Sequence, residues 1–161
     1  MAVFSTKKIA PCLWFDNRIE EAVNFYVSLF GGKILDSSRY GEGGPMPKGT
    51  AMTMTFMLHD EQFMALNGGP HFKFNEAVSF MVKCKDQAEV DKYWNALTAG
   101  GGQESRCGWL KDKYGLSWQI VPEVMPRLLM DKDPEKGKRA MQAMMTMKKL
   151  DIAALEMAHA G

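Results

Sequence analysis

The sequence predicts an α+β fold in which two βαβββ modules form a curved mixed sheet, followed by C-terminal helices. Three observations predict it. Residues 8–67 and 76–122 repeat one order of elements, a strand, a helix closed by glycines and then three strands. The two helices match residue for residue, with Phe25 on Tyr93, Tyr26 on Trp94 and Leu29 on Leu97. After Pro122 the composition turns to helix formers, so residues 1–122 read as one two-module domain and 123–161 as a helical extension. A single βαβββ unit leaves one face of its sheet open, whereas two side by side keep their helices outside and a cleft inside.

The run Lys7 to Phe15 is apolar and contains Pro11, which suits the start or edge of a strand. Asp16 and Asn17 offer N-cap chemistry. Ile19, Ala22, Val23, Tyr26, Val27 and Phe30 recur at three and four, an amphipathic helix stopped by Gly31 and Gly32. Lys33 to Tyr40 reads as a strand and Gly41 to Gly49 as a loop. Thr50 to Leu58 and Gln62 to Asn67 form a hairpin across His59, Asp60 and Glu61.

Past Gly68, Gly69 and Pro70, the segment His71 to Asn75 is a loop carrying Phe72 and Phe74. Glu76 to Cys84 alternates as a strand. Asp86 can cap a helix whose Val90, Tyr93, Trp94 and Leu97 share one stripe before three glycines. A short strand near Gln103 to Arg106 leads into Cys107 to Pro122, a hairpin with a left-handed residue expected at Gly115. In its second arm Leu116, Trp118 and Ile120 face one way, and Ser117, Gln119 and Val121 the other. Val124 to Met130 is a short helix, Asp133 and Pro134 open another, and Ala140 to Ala160 is apolar enough to pack on the body or on a partner subunit.

Composition removes several classes of function. Lys and Arg total 20 against 19 acidic residues, so charge makes no case for nucleic acid or an anionic membrane. No apolar run approaches a bilayer span and no signal-type segment follows Lys7 and Lys8, which gives a cytoplasmic expectation. Cys12, Cys84 and Cys107 are odd in number and lack CxxC spacing, against a disulfide framework or zinc site. The 14 methionines suit an irregular core or an adaptable pocket.

No residue stands out as catalytic. Cys107 beside Arg106 could be a thiolate, but its sequence neighbourhood holds no histidine and it reads as a small buried strand residue. His59 and His159 read as solvated, and His71 is the histidine placed near the cleft. Asp112 between Lys111 and Lys113 reads as a solvated hairpin tip. The candidate ligand-binding residues are Thr53, Thr55, Asn67, His71, Phe72, Phe74, Ser79, Trp109 and Gln119, a set of aromatic and neutral polar groups. Trp118 reads as core.

The segments NFYVSLFGG (Asn24 to Gly32), ALNGGPHFKFNE (Ala65 to Glu76), Asp86 to Trp94 and CGWLKDKYGLSWQIVP (Cys107 to Pro122) resemble the glyoxalase, bleomycin-resistance and vicinal-oxygen-chelate superfamily. The resemblance is to its PhnB-like branch, historically labelled a demethylubiquinone methyltransferase domain. It implies paired βαβββ modules, homodimers and, in metal-dependent members, one ligand from each of four strands. Those positions fall here on Pro11, Ser79, Gln119 and either Thr53 or Thr55. Proline cannot coordinate, and neutral amides and hydroxyls leave a divalent cation's charge uncompensated. No strand, glycine-rich turn and helix arrangement for a nucleotide-type methyl donor occurs either. The expectation is a metal-free, cofactor-free homodimer binding a small, weakly polar organic molecule. The alternatives are an enzyme of lyase, isomerase, dioxygenase or methyltransferase type with an unconventional site, a metalloenzyme with rearranged ligands, and a scaffold whose cleft is filled by its own side chains.

Overall fold

The computed structural model describes residues 6–161, and the chain divides into two compact units, one ending at Lys73 and one beginning at Phe74. In the first, β1 (Cys12–Phe15), α1 (Ile19–Phe30), β2 (Lys33–Arg39), β3 (Ala51–Leu58) and β4 (Glu61–Asn67) follow in turn. The sheet order is β1-β4-β3-β2, with β1 parallel to β4 and the other pairs antiparallel. The three-and-four spacing puts Ile19, Ala22, Val23, Tyr26 and Phe30 of α1 on its buried side. Gly31, left-handed at φ 71°, ends it by donating its N–H to Val27 O. The helix start differs from expectation, because Arg18 holds the cap position without a side-chain capping bond, its guanidinium donating instead to Glu21. Asn17 instead takes a φ of 54° and donates its N–H to Asn67 Oδ1 at 2.7 Å, which ties the helix entry to the end of β4.

The second unit repeats the plan with β5 (Ser79–Cys84), α2 (Gln87–Thr98), β6 (Gln103–Glu104), β7 (Trp109–Lys111) and β8 (Ser117–Pro122). Its sheet order, β5-β8-β7-β6, reproduces the first, again with a parallel pair between opening and closing strands. Asp86 caps α2 as its sequence position suggests, accepting the Glu89 N–H at 2.9 Å. Val90, Tyr93, Trp94 and Leu97 are the buried stripe of α2, and Trp94 stands where Tyr26 stands in α1. Complete burial of side chains this large contributes about 2–3 kcal/mol each, so these helix faces anchor the two sheets.

Three further helices, α3 (Met125–Leu129), α4 (Pro134–Thr146) and α5 (Ile152–Ala160), complete the second unit. Asp133 and Asp151 cap α4 and α5, and Met125, Leu128, Ala140, Leu150 and Leu155 form their own apolar cluster, with Val121 packed on it. The stretch Ala140 to Ala160 is therefore two helices with a break between them. That break is bonded to α2: Gln87 Nε2 donates to Leu150 O at 3.1 Å, and Ile152 N–H donates to Gln87 Oε1 at 2.9 Å. His159 is not solvated as expected. Its side chain is 12 % exposed and lies 2.9 Å from Asp131, whose carboxyl is held below its usual range, first by the Asp133 N–H and also by His159.

Candidate functional site

The β7–β8 hairpin is built around a carboxylate that the charge run disguises. Asp112 is 2 % exposed, not a solvated tip. Its Oδ1 accepts the Tyr114 and Leu116 N–H groups at 2.9 and 3.0 Å, and its Oδ2 accepts the Trp118 indole N–H at 2.9 Å. One side chain thus fixes the turn, whose Gly115 has a φ of 87°, and locks Trp118 against the helix side of the sheet.

The other end of β7 is held equally firmly. Cys107 is not a buried strand residue but sits half-buried in a turn at φ 56°. Its N–H donates to Met147 O and that of Gly108 to Lys148 O, both at 2.8 Å, while Gly108 O accepts the Ile120 N–H at 2.8 Å. A Cβ on Gly108, already at φ 83°, would come within 2.8 Å of Ile120 O, so only glycine lets the turn lie this close to β8. Cys84 is the inert thiol, pushed up to about 12 chiefly by burial.

Alternation then decides what the open face of this sheet presents. The register sets Ser79 opposite Ser117, Ser117 opposite Lys111 and Lys111 opposite Gln103; one step along, Met81, Gln119 and Trp109 form the next row. Gln119 Nε2 donates to Ser79 Oγ at 2.8 Å. Lys111 pairs with Glu76, and this contact holds the Glu76 carboxyl below its usual range. A pocket of about 590 Å³ opens along this strand pair, lined by Glu76, Arg106, Cys107, Trp109, Lys111 and Ser117 among others. Ser117 is 1 % exposed, and its Oγ has no hydrogen-bond partner among the described residues.

Of the nine residues expected in a cleft, Trp109 lines this pocket, and Ser79 and Gln119 lie on its sheet but are engaged with each other. Phe74 is half-buried in the same unit. The remaining five belong to the first unit. Thr55 is 4 % exposed, and Thr53 shares a 2.5 Å hydroxyl hydrogen bond with Ser38 on β2. Asn67 is a structural knot: besides receiving the Asn17 N–H, its Nδ2 donates to Ala51 O at 3.1 Å and its backbone O accepts the Tyr40 hydroxyl. His71 is exposed, and Phe72, 67 % exposed, meets the Trp14 ring edge-on at 4.9 Å. Sequence reasoning did not single out Glu76, Lys111 and Ser117 or place Arg106 on a cleft, and all four line this pocket. Ser117 was legible, since it alternates with Gln119 on the polar side of β8.

The donor set does not fit a divalent cation. Pro11 has no donor, and the amide of Gln119 and hydroxyl of Ser79 are spent on one another. Among the described residues no three His, Cys, Asp or Glu side chains gather as a metal site.

Two four-stranded mixed sheets of identical strand order, each with its helix, define a glyoxalase-type, vicinal-oxygen-chelate fold. The chain belongs to the family described as 3-demethylubiquinone-9 3-methyltransferase, the PhnB-like branch of that fold, whose profile matches residues 7–121. It is similar to a Bacillus cereus protein named as a PhnB protein and candidate 3-demethylubiquinone-9 3-methyltransferase, at 36 % identity and a TM-score of 0.67, covering 72 % of this chain and 99 % of that one. The fold is shared with protein PA1353 of Pseudomonas aeruginosa, at 22 % identity and TM-score 0.60, covering 73 % of this chain and 98 % of that one. It is shared too with the fosfomycin resistance protein FosX of Mesorhizobium loti, at 12 % identity and TM-score 0.52, covering 73 % and 92 %. No functionally curated protein matches the chain. Among the described residues no helix is long and apolar enough to cross a membrane.

Proposed function

We propose that this protein binds a small, weakly polar organic molecule on the open face of its second sheet, without a metal held by its own side chains. The pocket beside Trp109 carries this reading: about 590 Å³ lies within the range of small-molecule sites, and its lining sets the half-buried indole and Leu110 among neutral and charged polar groups. The methyl transfer in the family's description finds no glycine-rich helix opening among the described residues. Gly31 and Gly32 close α1 instead of opening a helix toward a phosphate.

We propose that the working form is a homodimer in the cytoplasm. Val78 and Met81, 64 % and 58 % exposed around β5, supply apolar surface that a second copy would cover. Sedimentation equilibrium giving a dimer mass supports this, and a monomer at tens of micromolar removes it. The binding reading is tested by melting-temperature shifts against aromatic and quinone-like compounds. At least one should stabilise the native chain and fail to stabilise Trp109→Ala. If none of them stabilises the native chain, the reading falls.

A further inference from the structure

We infer that the pocket's ligand is a small aromatic monocarboxylate, its ring on Trp109 and its carboxylate between Arg106 and Ser117. The inference rests on the small-molecule reading above and replaces its weakly polar ligand with a singly charged one.

Charge supplies the first argument. Four ionisable side chains other than the thiol line the pocket, Glu76, Glu104, Arg106 and Lys111. Glu76 is committed to Lys111. Glu104 accepts the Trp94 indole N–H at 2.9 Å and lies 3.5 Å from Lys148. The lining is neutral in sum, two acids against two cations, and Arg106, which is exposed, is the lining cation with no carboxylate partner among the described residues, so its guanidinium is left to meet an anion. A guanidinium presents parallel donors that match a carboxylate. With two acidic groups in the same lining, a monoanion is favoured over a dianionic phosphate.

The hydroxyl of Ser117 supplies the second. A buried polar atom left without a partner costs stability, and such atoms are few in native structures. Ser117 lines the same pocket as Arg106, and its buried Oγ has a free donor that a carboxylate oxygen, once past Lys111, would accept. Its cross-strand neighbour Lys111 pairs with a largely exposed Glu76, a contact that solvent screening makes easy to displace as a ligand enters. Trp109, half-buried beside them, offers a flat apolar surface for a ring.

The test is calorimetric titration of the full chain with 1-naphthoate, 1-naphthamide and 1-naphthyl phosphate. Naphthoate should bind about tenfold more tightly than the amide, the gain expected of a charge-assisted contact. Arg106→Gln should abolish that gap and leave the amide's affinity unchanged. Ser117→Ala should weaken naphthoate about fivefold, one hydrogen bond's worth, while the melting temperature of the free protein stays the same or rises. That last pairing separates a ligand contact from a structural one. Equal affinity for acid and amide, tighter binding of the phosphate, or an Arg106→Gln variant that still prefers the acid overturns the ligand class and leaves the small-molecule reading intact. If none of the three binds while other aromatic compounds stabilise the fold, the ligand class again fails alone. If no compound of either set binds, both readings fail.

Discussion

Gln119 Nε2 donates to Ser79 Oγ at 2.8 Å, joining the closing strand of the second sheet to its opening strand. The resemblance to metal-dependent relatives puts ligands at these two positions, and here each neutral group satisfies the other. A double-mutant cycle on Gln119→Ala and Ser79→Ala should return a coupling of about 1 kcal/mol, the net worth of one hydrogen bond. Zero coupling in urea unfolding would mean that the contact does not hold in solution.

Asp112 governs the hairpin through three accepted hydrogen bonds. Asp112→Ala should cost about 3 kcal/mol, because it orphans the buried Trp118 indole N–H and removes the turn's acceptor. Far smaller losses are expected at Asp60, exposed in the β3–β4 turn. Urea denaturation of the two variants decides the matter, and equal effects would refute the assignment.

Two glycines of the same hairpin separate strain from crowding. Both have positive φ, but a Cβ on Gly115 meets nothing within 4 Å, whereas on Gly108 it meets Ile120 O at 2.8 Å. Gly115→Ala should cost about 1 kcal/mol, the left-handed penalty alone. Gly108→Ala should cost clearly more, and the same midpoint for both variants in chemical denaturation would contradict the close approach.

The carboxyls of Glu76, Asp91, Glu104 and Asp131 are all held below their usual range by the bonds they accept, led by Lys111, Lys149, Trp94 and the Asp133 N–H respectively. A depressed folded-state value means the proton binds the unfolded chain first. Stability from these groups is therefore present above the ordinary carboxylate value of about 4 and is lost as pH falls through the lowered values. Melting temperature followed from pH 7 to 2 should hold until about pH 4 and then drop. Asp131→Asn should flatten part of that drop, and an acid limb identical to the parent's would show that the Asp131 carboxylate, with its Asp133 N–H and His159 contacts, does not contribute.

The sequence made the repeated βαβββ plan readable because both signals behind it are local. Helical spacing gave α1 with its bounds, and alternation gave the two faces of β8. What escaped it was set by contacts distant in the chain. Asp112 sits between two lysines and so resembles a solvated tip; its distance of three residues from Gly115 was the turn signal available, but the buried indole it serves shows only in the fold. His159 meets Asp131 across 28 residues, and Asn67 reaches back 50 residues to Asn17. For the pocket, Trp109 and the polar side of β8 were legible, whereas Arg106 became notable only once the other charges were seen to be paired.

The central claim is recognition of a small organic molecule in the pocket beside Trp109 with no side-chain-held metal. The measurement that tests it most directly is the melting-temperature shift given by a stabilising aromatic compound, recorded with excess chelator and again with added zinc, nickel or manganese. The account predicts one and the same shift in every condition and none in Trp109→Ala. A shift that vanishes with chelator and returns only with a metal would contradict it.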